Sequence, residues 1–268
     1  MNLPPRFVLA PEAGIFVLRS NDAHSAPHQQ WGTALLFGLE GEVTVRHAWG
    51  SARGRIVVVP GDVPHVTESR GPLASVVLDV DHHRATFQAL ARCQPFSLES
   101  SNALGLMVGL MARGEEEFAR GAEQIAAGLL PLGPAPLGDG RIARLLDLLD
   151  GDEALPLSVH AARLKLSTGH VSTLFHSRVG IPLRRWLLWR RLVRALPLLR
   201  AGGLAETAAA SGFSDQAHLT RTCVRFAGYT PRHLANALAS KGGVAPFEDG
   251  RPGSPSSEPD PRAHGSWK

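Results

Sequence analysis

The sequence is poor in cysteine, in lysine and in long apolar runs. Its two cysteines, Cys93 and Cys223, lie far apart in the chain, so neither a disulfide framework nor a cysteine zinc site is expected. No apolar run approaches the roughly 20 residues that span a membrane, and the N-terminus lacks the basic and then apolar pattern of a signal peptide. We therefore expect a cytoplasmic protein that does not bind membranes.

Charge is distributed unevenly along the 268 residues. Residues 1–138 hold 10 Arg, no Lys and 13 acidic residues, which gives this half a net charge of −3. Residues 139–241 hold 15 basic and 7 acidic residues, a net charge of +8, and the tail from residue 242 carries −1. Because a polyanion attracts a basic segment through the release of its counterions, residues 139–241 are the expected nucleic-acid-binding part.

Two short helix-turn-helix patterns lie in tandem in this basic segment, at residues 157–180 and 204–228. In the second pattern, Gly212 follows a short helix and supplies a residue that tolerates positive φ. Asp215 is a favourable N-cap residue, and apolar side chains then recur at helical spacing beside a polar outer face. A helix of this kind fits the major groove. The two patterns together predict binding to double-stranded DNA.

A longer helix is predicted between the two patterns, over residues 183–199. At 1.5 Å per residue such a helix spans about 25 Å. With its packed ends added, it would hold the two polar helices roughly one DNA turn, or about 34 Å, apart. Pro197 lies inside this segment and is expected to kink the helix or to end it early.

A set of short motifs runs through residues 141–238. The set comprises Ser167, Leu174-Phe175, Gly180-Ile181-Pro182, Arg191-Leu192, Gly212-Phe213-Ser214-Asp215-Gln216, His218-Leu219 and Tyr229-Thr230-Pro231. Together these motifs resemble the DNA-binding domain of AraC/XylS-type transcription regulators, in which the second helix of each unit contacts bases. The resemblance implies DNA contacts from Gly169, His170, Ser172 and Thr173 in the first unit, and from Gln216, Ala217, His218 and Arg221 in the second. Since Gly169 has no side chain and Thr173 is short, we expect the first unit to contribute less specificity.

The first hundred residues are predicted to form β structure. Five short β-branched or alternating runs, separated by Gly and Pro, lie at residues 15–19, 33–39, 43–49, 55–59 and 75–80. The segment Pro60-Gly61-Asp62-Val63-Pro64-His65 resembles the second signature of cupin barrels, with Asp62 where that signature usually has Gly. The predicted fold class is therefore α+β: an N-terminal cupin-like β-barrel, followed by an all-α domain with two helix-turn-helix motifs joined by a linker helix.

The barrel is predicted to bind a small-molecule effector, because such barrels often serve as sensors beside this DNA-binding domain. The predicted effector-binding residues are His28, Trp31, Arg46 and His65, which would orient a ligand in a mostly apolar pocket. The alternative is a metal-dependent cupin enzyme with a helical appendage, in which His24, His28 and His65 would bind the metal. His24 and His28 are four residues apart, unlike the closely spaced histidines of the first cupin signature. We therefore expect no metal, no other cofactor and no catalytic residue.

The sequence divides into four predicted segments. Residues 1–98 form the cupin-like sensor barrel, residues 99–138 a helical dimerisation region and linker, and residues 139–241 the DNA-binding domain. Residues 242–268, rich in Pro, Ser, Gly and charge, are expected to be disordered. The predicted protein is a homodimeric transcription regulator that responds to a small-molecule effector and contacts RNA polymerase. A DNA-binding protein whose barrel serves only for dimerisation is a further possibility.

Overall fold

The N-terminal half of the computed structural model contains two antiparallel β-sheets. The structure describes residues 6–21, 23–151, 155–200 and 203–239. In chain order the strands are β1 (Arg6–Ala10), β2 (Ile15–Ser20), β3 (Ala23–His24), β4 (Thr33–Gly38), β5 (Val43–His47), β6 (Gly50–Gly54), β7 (Ile56–Val59), β8 (His65–Ser69), β9 (Leu73–Leu78) and β10 (Phe96–Leu98). One sheet has the strand order β1-β2-β9-β4-β7-β10 and the other the order β3-β8-β5-β6.

The central strand β4 shows how alternation along one strand serves two cores. Ala34 and Leu36 pack between the two sheets, together with Val43 and other apolar residues of the smaller sheet. Leu35 and Phe37 point to the opposite face of the larger sheet and contribute to a second core. Every residue of β4 is buried, because this strand lies in the middle of its sheet and both of its faces are covered.

Two helices cover the outer face of the larger sheet. A short helix α1 (Arg84–Leu90) follows β9, and α2 (Ser101–Leu110) and α3 (Glu115–Leu129) follow β10. The side-chain oxygen of Ser100 accepts a hydrogen bond from the backbone N–H of Ala103 and caps α2. Met107 of α2 and Phe118 of α3 are buried in the core that the outer face of this sheet provides. The apolar stripes of α2 and α3 therefore dock on the barrel.

The C-terminal half is all helical in the residues described. Its helices are α4 (Gly140–Gly151), α5 (Leu157–Arg163), α6 (Thr168–Val179), α7 (Leu183–Leu198), α8 (Leu204–Ala210), α9 (Gln216–Ala227) and α10 (Pro231–Ala239). The linker helix α7 lies between two helix-turn-helix units, α5–α6 and α8–α9. Phe175 and Trp186 are buried with ring centroids 5.0 Å apart, so α6 and α7 share one core. Phe7, Phe16 and Phe87 of the N-terminal half belong to the same core.

Pro197 lies in the last turn of the linker helix α7. The helix ends at Leu198, one residue after the proline, and the backbone N–H of Leu199 still donates to the carbonyl of Ala195. The linker therefore keeps almost all of the predicted length, and the proline marks its end. The observed 16 residues correspond to about 24 Å.

The predicted fold class is confirmed: a cupin-like β domain precedes an all-α domain with two helix-turn-helix units. The five predicted strands correspond to β2, β4, β5, β7 and β9, whereas the other strands and α1 were not predicted. Within the described ranges, none of the helices is both long and apolar enough to cross a membrane. The predicted disordered tail, residues 242–268, lies outside the residues that the structure describes.

Candidate DNA-binding helices and interdomain cavity

The first helix-turn-helix unit presents α6 on the protein surface. Ser167 begins the helix, because its side-chain oxygen accepts a hydrogen bond of 3.2 Å from the backbone N–H of His170. Gly180 ends it in the left-handed conformation with φ 84°. Gly169, His170 and Thr173 are exposed, and the half-buried Ser172 donates its hydroxyl to a backbone carbonyl of the preceding turn. The predicted residues of this unit thus share one helix, with few side chains able to reach a base.

The second unit presents α9 in the same way, with longer polar side chains. Asp215 caps the helix, and its carboxylate accepts a hydrogen bond of 2.6 Å from the backbone N–H of His218. This bond lowers the pKa of Asp215 from its usual value. Gln216, Ala217 and Arg221 are exposed. The exposed Arg221 forms no direct hydrogen bond or ion pair with the described residues, and its charge also helps to lower the pKa of Asp215, so its guanidinium can still reach a partner.

The half-buried His218 is held by its neighbours at the start of α9. Its Nδ1 lies 3.2 Å from the Ser214 hydroxyl, and its ring meets the Phe213 ring edge to face at 5.2 Å between centroids. Phe213 is itself buried in the turn that joins α8 to α9. This arrangement fixes the side chain of His218 before any partner binds.

A cavity of about 100 Å³ lies between the β domain and the helical domain. Its barrel wall is formed by the inner face of the β-strands and the loop before β4, and its other wall by α7, α9 and α10. The lining residues are Phe7, Phe16, Leu18, Ser25, His28, Gln30, Ala34, Leu36, His65, Thr67, Leu73, Ser75, Val77, Trp189, Leu192, Val193, Leu196, Phe226, Ala227, Tyr229 and Leu234. A ligand in this cavity would touch both halves of the chain.

His28 and His65 lie side by side in the barrel wall of the cavity. Their ring centroids are 4.1 Å apart, and the backbones of the two residues exchange hydrogen bonds of 2.9 and 3.0 Å. Burial lowers the pKa of His28 to about 4 and that of His65 to about 3, the latter also through repulsion from His28. Both rings are therefore neutral at neutral pH.

The loop that carries His28 is bonded to the end of the recognition helix α9. The backbone N–H of Ala26 donates to the carbonyl of Gly228 at 3.1 Å, and that of Gln29 donates to the carbonyl of Arg225 at 2.8 Å. Gly228 ends α9 in the left-handed conformation with φ 75°. These two hydrogen bonds connect a wall of the cavity directly to a helix predicted to contact DNA.

A second contact between the halves involves the linker helix α7. The indole Nε1 of Trp189 donates to the buried carboxylate of Asp79 at 2.6 Å, and that of Trp186 donates to Asp81 at 2.7 Å. Arg190 lies 3.7 Å from Asp81 and forms a further ion pair with Asp150. Burial, followed by repulsion from Asp79, raises the pKa of Asp81 to about 6.

The structure brings only two of the four predicted effector-binding residues to the cavity wall. His28 and His65 line it, whereas Trp31 is buried behind it against Phe87, with ring centroids 6.5 Å apart. The prediction for Arg46 must be corrected, because its side chain is 66% exposed and pairs with Glu68 on the outside of the barrel. Trp189 and Phe226, which form part of the α-helical wall, were predicted only as apolar core residues of their helices.

The three histidines weighed as metal ligands do not come together. His24 is exposed on β3, whereas His28 and His65 are buried against each other. Among the residues that the structure describes, no group of three His, Cys, Asp or Glu side chains is placed to hold a metal ion. This geometry gives no support to the metal-dependent alternative.

The geometry defines a class of protein: a β-barrel domain joined to a helical domain with two exposed recognition helices. Residues 160–237 match the family described as "Helix-turn-helix domain". This match identifies a helix-turn-helix domain in the C-terminal part of the chain, where the motifs predicted a domain similar to the AraC type. A comparison with functionally characterised proteins finds no match.

Solved structures of ToxT share the fold of most of this chain. ToxT from Vibrio cholerae O395 aligns with a TM-score of 0.54 at 10% identity, over 84% of this chain and 98% of ToxT. Unsaturated fatty acid bound wild-type ToxT from strain SCE256 aligns with a TM-score of 0.50 at 11% identity, over 89% and 98%. The AraC-like transcriptional activator CuxR aligns with a TM-score of 0.36 at 14% identity, over 66% and 76%. The likeness to ToxT shows that the two chains share an overall fold.

Proposed function

We propose that this protein is a sequence-specific, DNA-binding transcription regulator whose DNA affinity depends on a small-molecule effector bound between its two halves. One observation carries the proposal: the cavity wall at His28 is hydrogen-bonded to the end of α9, an exposed helix of an AraC-type helix-turn-helix unit. The function also agrees with the net charge of +8 on residues 139–241. A regulator of this kind acts in the cytoplasm.

In this proposal α9 supplies most of the sequence specificity. Gln216, His218 and Arg221 offer hydrogen-bonding groups near the start of the helix, and Ala217 offers an apolar contact. The matching positions of α6 are occupied by small side chains, since Gly169 has none and Ser172 already donates to a backbone carbonyl. His170 and Thr173 remain the candidates of α6, together with contacts to the phosphates.

The effector would act by changing how the two halves pack. A ligand in the cavity touches the barrel through His28 and the helical domain through Trp189 and Phe226. It therefore binds one relative placement of the halves more tightly than others, and it shifts the population toward that placement. The hydrogen bonds from the loop before β4 to α9 would transmit the shift to the recognition helix.

Domain boundaries, dimerisation and RNA polymerase contact also belong to this proposal. The boundaries are 1–98, 99–138, 139–241 and 242–268, with the second segment folded onto the first through α2 and α3. We place the homodimer contact on the outward face of α2, where the Leu106 side chain is 53% exposed. Sedimentation of the full chain measures the dimer, and a Leu106→Glu variant that stays dimeric would exclude this face.

The function is tested by selecting genomic fragments on the purified full chain and footprinting the enriched ones at physiological salt. We expect an asymmetric protected site with two major-groove contacts about one DNA turn apart. A protein that enriches no fragment above random DNA would contradict the proposal. Log affinity should also fall linearly with log salt, since phosphate contacts release counterions.

Arg221→Ala then tests the contribution of α9. We expect operator affinity to fall by about 1–3 kcal/mol if Arg221 contacts a base, and binding to random DNA to fall less. Thr173→Ala should cost less than Arg221→Ala. Arg53→Ala removes an equal charge from the barrel surface, where Arg53 pairs with Glu42, and serves as the matched control. Equal losses on operator and random DNA would exclude base recognition by Arg221.

A further inference from the structure

The cavity lacks charge on its walls. None of the residues that line it, within the part of the chain described here, is Lys, Arg, Asp or Glu. The two histidines in the wall are neutral, because burial lowers their pKa values to about 4 and 3. A buried ion needs an opposite charge or several donors to replace its hydration. The described walls provide no opposite charge, only neutral hydroxyl, amide and imidazole groups, so this cavity disfavours a carboxylate or an ammonium group.

The hydrogen bonds of the two histidines fix which ring nitrogen faces a ligand as an acceptor. Nδ1 of His28 lies 3.0 Å from the carbonyl of Ala26, and Nδ1 of His65 lies 2.8 Å from the carbonyl of Val63. A carbonyl oxygen can only accept, so each Nδ1 must carry the proton. In a neutral ring the Nε2 atom then bears a lone pair. Both Nε2 atoms have no hydrogen-bond partner among the described residues and are therefore unused acceptors.

Gln30 adds a third unused acceptor to the same wall. Its side-chain oxygen is buried and has no hydrogen-bond partner in the described structure. The residue is 5% exposed and lines the cavity beside His28. A buried polar atom without a partner is costly, so a ligand that donates a hydrogen bond here would relieve that cost. The same wall also carries the hydroxyls of Ser25, Thr67 and Ser75, which can both donate and accept, whereas the imidazole and amide acceptors can be satisfied only by a ligand with an O–H or N–H group.

Apart from the hydroxyls of Ser25, Thr67, Ser75 and Tyr229, the remaining surface of the cavity is apolar and partly aromatic. Phe7, Phe16, Trp189 and Phe226 contribute rings, and aliphatic side chains fill the space between them. Its volume of about 100 Å³ is comparable to that of engineered apolar cavities that hold a benzene molecule. The room and the lining thus suit one small ring or a short hydrocarbon chain.

We propose that the effector is an uncharged, largely apolar molecule with one hydrogen-bond donor, of the phenol or alcohol class, whose single O–H donates to one of the acceptors at His28, His65 and Gln30. This inference rests on the proposed function and specifies the ligand of the same cavity. It also separates this chain from ToxT, one structure of which holds an unsaturated fatty acid, because a fatty acid carries a carboxylate that these walls do not match.

Three compounds of nearly equal size test the ligand class. Calorimetric titration of the full chain compares p-cresol, which is neutral and donates, with 4-methylanisole, which is neutral and cannot donate, and with p-toluate, which is an anion. We expect p-cresol to bind at least about tenfold more tightly than 4-methylanisole, the effect of roughly one hydrogen bond. We expect no binding of p-toluate. Tighter binding of p-toluate, equal binding of the two neutral compounds, or no binding of any compound would overturn the proposal.

Three variants test the position of the ligand hydroxyl and show whether the cavity persists. His28→Phe should weaken p-cresol about tenfold but retain 4-methylanisole, whose binding shows that the cavity persists. His176→Phe, exposed on α6 and outside the cavity lining, is the matched control and should change neither. Val193→Lys places an ammonium on the half-buried α7 wall and should create binding of p-toluate. A His28→Phe protein that keeps full p-cresol affinity would exclude the assigned hydroxyl position.

Operator binding without ligand separates the two proposals. A chain that binds p-cresol but no specific DNA would refute the regulator function and leave the ligand class intact. A chain that binds its operator but prefers p-toluate would refute the ligand class alone. A regulator with the proposed ligand binds its operator, and p-cresol but not p-toluate changes that affinity.

Discussion

Gly228 and Gly180 end the two recognition helices in the same left-handed conformation, and this pair allows a sharp test of the contact between the halves. Their φ angles are 75° and 84°. A Cβ atom at Gly228 would lie 2.8 Å from the His28 ring, 2.9 Å from the Ser25 Cβ and 3.1 Å from the Ala26 oxygen. A Cβ atom at Gly180 would meet only Phe87, at an ordinary 3.4 Å.

Gly180→Ala therefore measures the backbone strain, and Gly228→Ala adds the clash with the barrel. The left-handed conformation costs an L-residue about 1–2 kcal/mol, and this cost is common to both variants. Forcing a methyl group into the packed loop at Gly228 should cost about 1–3 kcal/mol more. We expect Gly228→Ala to lower the free energy of unfolding by about 2–5 kcal/mol in total.

Equilibrium urea unfolding, followed by circular dichroism, measures both losses. Titrating operator DNA with and without the effector measures whether the loop still transmits binding to α9. We expect the effector-induced change in operator affinity to shrink in Gly228→Ala and to persist in Gly180→Ala. Equal destabilisation of the two variants would show that the loop does not press against the end of α9, and the proposed route of coupling would then be wrong.

Three further predictions concern other contacts of the structure. A double-mutant cycle of Trp189→Phe and Asp79→Asn should give a coupling energy of about 1.5–3 kcal/mol in unfolding experiments, because the indole donates to a buried carboxylate; a coupling near zero would deny that this bond joins the halves. Between pH 6.5 and pH 5.5 the residue 65 imidazole takes up a proton in the unfolded chain, whereas the buried His65 of the folded protein stays neutral. Over this range His65 should therefore lower the free energy of unfolding by about 1 kcal/mol, and the free energy of unfolding of His65→Asn should fall by about 1 kcal/mol less than that of wild type. A thiol reagent should modify the exposed Cys93 in the native protein and spare Cys223, whose pKa burial raises to about 12, and mass spectrometry of two modified cysteines would contradict the described packing.

The sequence predicted the helical half well because its signals are local. Caps such as Ser167 and Asp215 and the glycines after each recognition helix act within one turn of chain. The barrel was predicted less completely. Strand β6, Gly50–Gly54, has neither alternation nor β-branched residues, and it is extended because it pairs with β5. Pairing with a distant partner leaves no mark on a short segment of sequence.

One error in the predicted site could have been avoided from the sequence alone. In β5, Val43 and Val45 alternate with Thr44 and Arg46, so burial of the valines directs Arg46 outward. The structure also explains why Asp62 can stand where the cupin signature usually has Gly. Its φ angle is 66°, a conformation in which glycine is favoured and aspartate is tolerated. The cavity itself could not be predicted, because periodicity shows that Trp189 and Phe226 are apolar but not that they face the barrel.

Both recognition helices are held at the same end. Gly180, which follows α6, adjoins Phe87 of the barrel side, and Gly228, which follows α9, adjoins His28, whereas the candidate base-contacting residues lie in the first half of each helix. Each helix has 12 residues and is about 18 Å long, and in the proposed regulator it would tilt together with its packed unit about a pivot at the end that contacts the barrel. A tilt of about 5° at the pivot moves the far end by about 1.5 Å, enough to break hydrogen bonds to bases. In the proposed regulator, a small ligand at this pivot would in this way change the contacts with DNA.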